Sequence, residues 1–134
     1  MPDCLFSKIV AKQIPAEIVY EDEQCLAFLD IKPVNLGHVL LIPKVHHRML
    51  VDTPNELLAT IIVLAKKLMI AIQKAMSADF VVLSVVGIDV PHLHFHLLPR
   101  YHQDGLANFW PTKSVTSEEQ RRVTKKIRVA LKQA

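Results

Sequence analysis

Pro91-His92-Leu93-His94-Phe95-His96-Leu97-Leu98-Pro99-Arg100 carries a histidine at every second position, with apolar residues between them. Side chains on a β-strand repeat with period two, so residues i, i+2 and i+4 share a face. Read as a strand, the stretch turns His92, His94 and His96 to one side and Leu93, Phe95 and Leu97 to the other. The apolar side suits a core. The imidazole side suits a cleft, because histidine titrates near neutral pH and serves as ligand, base or nucleophile. The plain alternative is a solvent-facing strand that happens to bear histidines.

Around this stretch the chain reads as an α+β domain. Upstream, residues 80–86 are β-branched and strand-like, and Gly87-Ile88-Asp89-Val90-Pro91 is a turn. Before them comes a long helix. Thr53 is its expected N-cap, Pro54 takes the first helical position and Glu56 completes a capping box. Leu57, Ile61, Leu64, Leu68, Ile72 and Met76 form one apolar stripe, widened by Leu58, Ala65, Met69 and Ala75, so the helix should cross a sheet. Residues 38–43 are nearly all apolar, which indicates a strand buried on both faces. Residues 30–37 form a loop rich in turn formers, and 44–48 a polar loop. Residues 17–20 and 25–29 read as two short strands joined at Glu21-Asp22-Glu23. Leu5, Phe6, Ile9 and Val10 have helical spacing, with Asp3 as cap and Ile14-Pro15 as the stop.

Downstream of Arg100, residues 101–113 are irregular. Thr116-Ser117-Glu118-Glu119 opens a last helix with a capping box, and Val123, Ile127 and Leu131 make its narrow apolar seam. Arg121, Arg122, Lys125, Lys126 and Arg128 read as its solvated face, so no nucleic-acid role is expected. Short turns between strand pairs imply an antiparallel five-stranded sheet rather than a parallel nucleotide fold. Residues 1–134 are expected to form a single domain, with a core over 4–100 and a C-terminal extension over 101–134.

Composition agrees with a packed domain. Of 134 residues, 51% are apolar and 22% charged, enough to enclose a core. A formal charge of +3 suits a small anionic substrate and falls short of a nucleic-acid-binding stripe. Two cysteines, Cys4 and Cys25, do not make a disulfide framework. The first four residues lack a signal-peptide pattern, and the most apolar run, 57–72, is broken by Lys66 and Lys67. A cytoplasmic location and no membrane partner are expected.

Two chemistries compete for the histidines. Residues i and i+4 of a straight strand lie about 13 Å apart, whereas a metal–nitrogen bond is about 2.1 Å, so three cannot share an ion without a bulge. Alternatively, the middle imidazole is a competent nucleophile near neutral pH if its far nitrogen keeps a proton. Its neighbours could then grip an anion or protonate a leaving group, as phosphorus chemistry requires.

His92-Leu93-His94-Phe95-His96-Leu97-Leu98 resembles the signature of the histidine-triad (HIT) superfamily, and Pro99-Arg100 is a frequent continuation. The resemblance extends over Leu5 to Val10 with Ile14-Pro15-Ala16, Tyr20-Glu21-Asp22, Ala27 to Pro33, and Gly37-His38 to Lys44 with His46. It covers roughly residues 4–100 and is nearest to the nucleoside-phosphoramidase branch. It implies a homodimer whose two five-stranded sheets join. It also implies cleavage at the α-phosphorus of a nucleoside 5′-phosphoramidate or adenylyl compound through a nucleotidyl-histidine, with a purine nucleotide as substrate. By that resemblance His94 is the nucleophile, held by backbone near His92. His92 and His96 contact phosphate and leaving group, and His38 buttresses the triad. Asp30 takes the ribose hydroxyls, and Phe6, Ile9, Phe28, Leu29 and Ile31 wall the base. Core packing is the plain alternative for these apolar residues.

Three departures stand out. Ser84 replaces an Asn of the family pattern, Ile88 stands where a phosphate-binding Gln is expected, and Asp89 replaces a small polar residue. Ser84, Asp89 and Val90 complete the nucleotide-binding set. Ile88 cannot donate a hydrogen bond, and losing such a donor costs about 3 kcal/mol of transition-state stabilisation. Some members bind structural zinc through Cys-x-x-Cys. Here Ser7 stands at the second position, so no metal or other cofactor is expected, and Cys4, His46 and His92 are the residues that would remain for one. His102 and Trp110 are candidate leaving-group contacts. Diadenosine polyphosphate hydrolysis and a nucleotide-binding regulatory module are the alternative functions.

Overall fold

A computed structural model describes residues 4–106 and 112–133. The chain forms two compact units, one ending at Asp104 and the other beginning at Gly105. The first holds helix α1 (Leu5–Val10), strands β1 (Ile18–Glu21), β2 (Cys25–Leu29) and β3 (Val39–Pro43), helix α2 (Asn55–Met76), and strands β4 (Phe80–Ser84) and β5 (Phe95–Arg100). The second holds helix α3 (Ser117–Gln133). The architecture is α+β, with one antiparallel five-stranded sheet in the order β1-β2-β3-β5-β4.

Alternation along the strands sorts two cores onto the two faces. Cys25 and Ala27 of β2, Val39 and Leu41 of β3, and Phe95 and Leu97 of β5 face α2, where they meet Ile61, Leu64, Ala65, Leu68 and Ile72. Each fully buried aliphatic side chain of this kind stabilises the fold by about 2 kcal/mol. The intervening residues Leu26, Phe28, Leu40 and Ile42 pack with Cys4, Phe6 and Ile9 of the N-terminal segment. Hence β2 and β3 are buried on both faces, as their unbroken apolar sequence requires. Of the expected α2 stripe, Ala75 alone turns to solvent.

Several local expectations need correction. Thr53 does not cap α2: its hydroxyl donates to Met49 O at 2.8 Å, closing a 3₁₀ turn over Leu50–Asp52, and Pro54 becomes the cap without a side-chain bond. Local bonding of this kind competes with capping. Asp3 and Trp110 lie outside the described residues, and Cys4 occupies the cap of α1. Strand β4 stops at Ser84 and β5 starts at Phe95, so His92 and His94 precede the regular strand. By contrast, the capping box of α3 forms, with Thr116 N–H donating to Glu119 Oε1 at 3.0 Å and Glu119 N–H to Thr116 Oγ1 at 3.1 Å. Val123, Ile127 and Leu131 of that helix are all exposed. No helix among the described residues is long and apolar enough to cross a membrane.

Candidate active site

The two-residue repeat holds across the start of β5 even though the ladder does not. Phe6 meets the rings of His92 and His94 edge-on at 6.1 and 5.1 Å, and His94 meets His96 at 5.0 Å. All three imidazoles therefore lie on the α1 side of the sheet, opposite Leu93 and Phe95. Backbone bonds hold the irregular approach, with Leu93 N–H donating to His47 O at 2.6 Å and His92 N–H to Val90 O at 2.8 Å.

Each imidazole has a proton position set by its partners. His94 Nδ1 lies 2.7 Å from His92 O, and a carbonyl only accepts, so Nδ1 carries the proton and Nε2 keeps a lone pair. His38 is ordered from its other side. Val34 N–H donates to His38 Nδ1 at 3.2 Å, so the proton of the neutral ring sits on Nε2. That N–H meets His96 Nδ1 at 3.0 Å, which leaves the proton of His96 on Nε2. The result is one imidazole presenting a lone pair beside another presenting a donor. Burial pushes the pKa of His38 down, and burial followed by the nearby His94 and His38 pushes that of His96 down, so both stay neutral at physiological pH.

His92 behaves differently, and its expected contact with phosphate is corrected. It is fully buried, and Nε2–H donates to Pro43 O at 2.8 Å. Its Nδ1 faces Cys4 Sγ at 3.3 Å and Ser7 Oγ at 3.4 Å. Burial also lowers its pKa. The ring turns toward α1 because the chain bends before Phe95, and it lines neither cavity beside His94.

A cavity of about 410 Å³ opens on His94 and His96. Phe6, Ile9, Phe28, Leu29, Asp30, Ile31, Asp89 and Val90, eight of the nine residues that the resemblance assigned to the nucleotide, line it. Leu5, Pro15, Lys32 and Leu40 join them and were not anticipated. Ile14-Pro15 signals only a helix stop, and Leu40 reads as core, because period two does not say which apolar face holds a cleft. Asp30 is fixed by Lys32 N–H at 2.9 Å, and its other oxygen lies 3.8 Å from His38 Nε2. Ser84 pairs with His96 across the sheet but does not line the cavity, and Ile88 is exposed. His102 lines neither cavity at His94; its backbone N–H donates to Asp79 Oδ2 at 2.8 Å and its ring lies beside Phe80.

Among the described residues two clusters have the composition of a metal site: Cys4, His46 and His92, and Asp30, His38 and His96, with ligand atoms within 4.8 Å in each. A metal-binding imidazole donates its other N–H to a carbonyl or carboxylate. His92 does so to Pro43 O and His46 to Pro91 O at 2.7 Å, leaving both Nδ1 lone pairs available, so the first cluster fits zinc. In the second, His38 Nδ1 accepts from Val34, which obliges Nε2 to carry hydrogen, so that cluster orders protons rather than a metal. Cys25 is fully buried, with its thiol pKa pushed up to about 11 by burial, and is an inert core residue.

Known proteins give this arrangement a context. A protein of Streptococcus mutans superposes with a TM-score of 0.88 at 34% identity, covering 98% of this chain and 87% of that one. The adenosine 5′-monophosphoramidase of Saccharomyces cerevisiae is 36% identical over 130 residues, 92% of this chain and 80% of the relative. A zinc-bound histidine-triad protein of Mycobacterium smegmatis has a TM-score of 0.75 at 32% identity, covering 98% of this chain and 97% of that one. The sequence pattern of the HIT domain matches residues 11–103, and with the fold and the ordered histidines already in place the chain belongs to the HIT family.

Proposed function

We propose that the protein is a nucleotide hydrolase that cleaves purine nucleoside 5′-phosphoramidates through a nucleotidyl-His94 intermediate. The observation that carries this reading is the proton arrangement: His94 Nε2 has a lone pair, and His96 Nε2 carries hydrogen, beside one cavity of nucleotide size. The base sits among Phe6, Ile9, Phe28 and Ile31, and Asp30 accepts from the ribose. His94 Nε2 forms a bond to the α-phosphorus. The amine departs with the electron pair of its own bond to phosphorus and takes the proton of His96 Nε2. Water then attacks phosphorus, restores that proton and releases the nucleoside monophosphate, with His94 leaving as before. His38 acts through His96 as a positioning residue.

Cys4, His46 and His92 would hold a structural zinc, which would tie the N-terminal segment to the triad and take no part in the reaction. The relation to a zinc-bound neighbour supports this. Strand β4 is a sheet edge, with Phe80 exposed and Val81, Val82 and Leu83 half-buried, and Ile62, Val63 and Ile70 of α2 are exposed. An apolar edge beside an apolar helix face supports a homodimer joined along β4 and α2.

The test is release of AMP from adenosine 5′-phosphoramidate. Wild type should turn over, and His94→Ala should lose about 10³-fold or more while still binding AMP. Binding without turnover in the wild type would favour a nucleotide-binding module instead.

A further inference from the structure

The loop between β2 and β3, which brings Asp30 and Val34 to the site, has little apolar burial to hold it. Ile31, Lys32, Pro33, Val34 and Leu36 are exposed, Ile31 at 89% and Leu36 at 77%, whereas Asn35 is half-buried. Such a segment draws its order from hydrogen bonds instead. Within it, His38 N–H donates to Asn35 O at 3.2 Å and Asp30 N–H to His38 O at 3.0 Å. Beyond it, the side-chain amide of Asn35 donates to Pro99 O at 2.9 Å and to Asp104 Oδ2 at 3.3 Å.

The strand register explains why a side chain is needed there. Strands β3 and β5 pair Leu41 with Phe95, Leu40 with His96 and Val39 with Leu97. Two residues further the ladder would set Gly37 against Pro99, but the chain turns away at Gly37, whose φ is +91°. Pro99 is fully buried, and a buried carbonyl requires a donor. The Asn35 amide takes the place of the missing backbone N–H. Its second acceptor is held just as firmly. Arg100 donates from Nε to Asp104 Oδ2 at 2.6 Å and from Nη2 to Oδ1 at 3.3 Å, and Tyr101 N–H donates to Oδ2 at 3.2 Å. Asn35 thus docks the loop on a buried, fixed point at the end of the triad strand.

We propose that Asn35 is a positioning residue that holds the tautomer of His38, and through it the proton of His96. Its catalytic consequence rests on the hydrolase reading. Asn35 directly follows Val34, whose N–H occupies His38 Nδ1. In a neutral imidazole, the bond made by one nitrogen decides where the hydrogen sits. With the loop docked, His38 Nε2–H meets His96 Nδ1, and His96 keeps its hydrogen on Nε2. Without the dock, Val34 N–H is released and His38 takes its hydrogen on either nitrogen. In the Nδ1–H form its Nε2 accepts from His96 Nδ1–H, which leaves His96 Nε2 bare and unable to protonate the departing amine. Asn35 itself exchanges no proton.

Two measurements on the full chain test this. Long-range ¹H–¹⁵N spectra of histidine-labelled protein read the tautomer directly. His38 should be the Nε2–H form in wild type and a mixture of both forms in Asn35→Ala, and in Asn35→Ser, which removes the same amide. Unchanged His38 nitrogen shifts in both variants would overturn the proposal. The second measurement is AMP release from adenosine 5′-phosphoramidates of n-butylamine and of the less basic 2,2,2-trifluoroethylamine. Asn35→Ala should lower kcat about three- to tenfold on the butylamine substrate and less on the other, at the weak end of general-acid effects. In a His38→Gln background it should cost nothing further, because residues acting through one another are not additive. Equal losses on both substrates, or a full loss on top of His38→Gln, would overturn the positioning role. A tautomer change in Asn35→Ala with no AMP release by wild type would instead overturn the hydrolase reading and leave the docking of His38 standing.

Discussion

His38 sets the direction in which protons are presented, although it never meets the reacting phosphorus in the scheme above. Its Nδ1 is committed to Val34 N–H and its Nε2–H to His96, so replacing it frees His96 to take either tautomer. His38→Gln should lower kcat about 10- to 100-fold, at the lower end of general-acid effects. The loss should grow as the leaving amine becomes more basic, which a merely structural defect would not produce; a uniform loss across amines would contradict the relay. The same burial has a consequence for stability. His38, His92 and His96 have folded-state pKa values below the ordinary imidazole value, so the unfolded chain binds their protons more readily. Stability is full above about pH 6.5 and falls as pH drops through that value toward the folded ones. Thermal melts should show a lower midpoint at about pH 5 than at about pH 7.5, and a flat profile would contradict neutral burial. At this scale the gathering of His94, His96, Asp30 and Phe6 at one cavity was legible, the histidines from their spacing and Asp30 and Phe6 from the resemblance. The fate of His92 was not, because its orientation depends on a bend at residues 91–94 and on a partner, Cys4, 88 positions away.

The turn before β3 joins an element to its neighbour through one glycine. Gly37 has φ +91°, and a Cβ there would come within 2.7 Å of Met76 Cγ at the end of α2. Gly37→Ala should destabilise the fold by about 1–3 kcal/mol, read as a lower midpoint in chemical denaturation, and unchanged stability would contradict the contact. Strand β2 has the bounds that its apolar run after the acidic turn suggested, Cys25–Leu29, and α2 follows its stripe. What period and capping rules did not reveal was competition between local motifs. The 3₁₀ turn at Leu50–Asp52 captures Thr53, whereas nothing competes for Thr116 and its box forms. Likewise the strand character of residues 92–94 gives way to bonds from His92 N–H to Val90 O and from Leu93 N–H to His47 O.

For the whole molecule, the α+β class and the antiparallel five-stranded sheet were legible because strand pairs with short turns leave few topologies and the long helix requires one apolar face, whereas the order β1-β2-β3-β5-β4 emerges only from the structure. Cavities were not, since their shape arises from the meeting of segments far apart in the chain. The proposed homodimer rests on the same scale, on an apolar β4 edge beside the exposed Ile62, Val63 and Ile70. Light scattering should return twice the chain mass of 15.2 kDa, and placing Lys at Val82 should shift the protein toward monomer. A monomeric wild type at working concentrations would contradict that association. The central claim, that His94 attacks phosphorus, is tested most directly by rapid acid-free quenching of a turnover mixture with adenosine 5′-phosphoramidate, followed by peptide mass spectrometry. The expected result is an adenylyl group carried on the peptide that contains His94 and localised to that residue, absent in His94→Ala. Turnover with no adduct on His94, or an adduct that persists in His94→Ala, would contradict it.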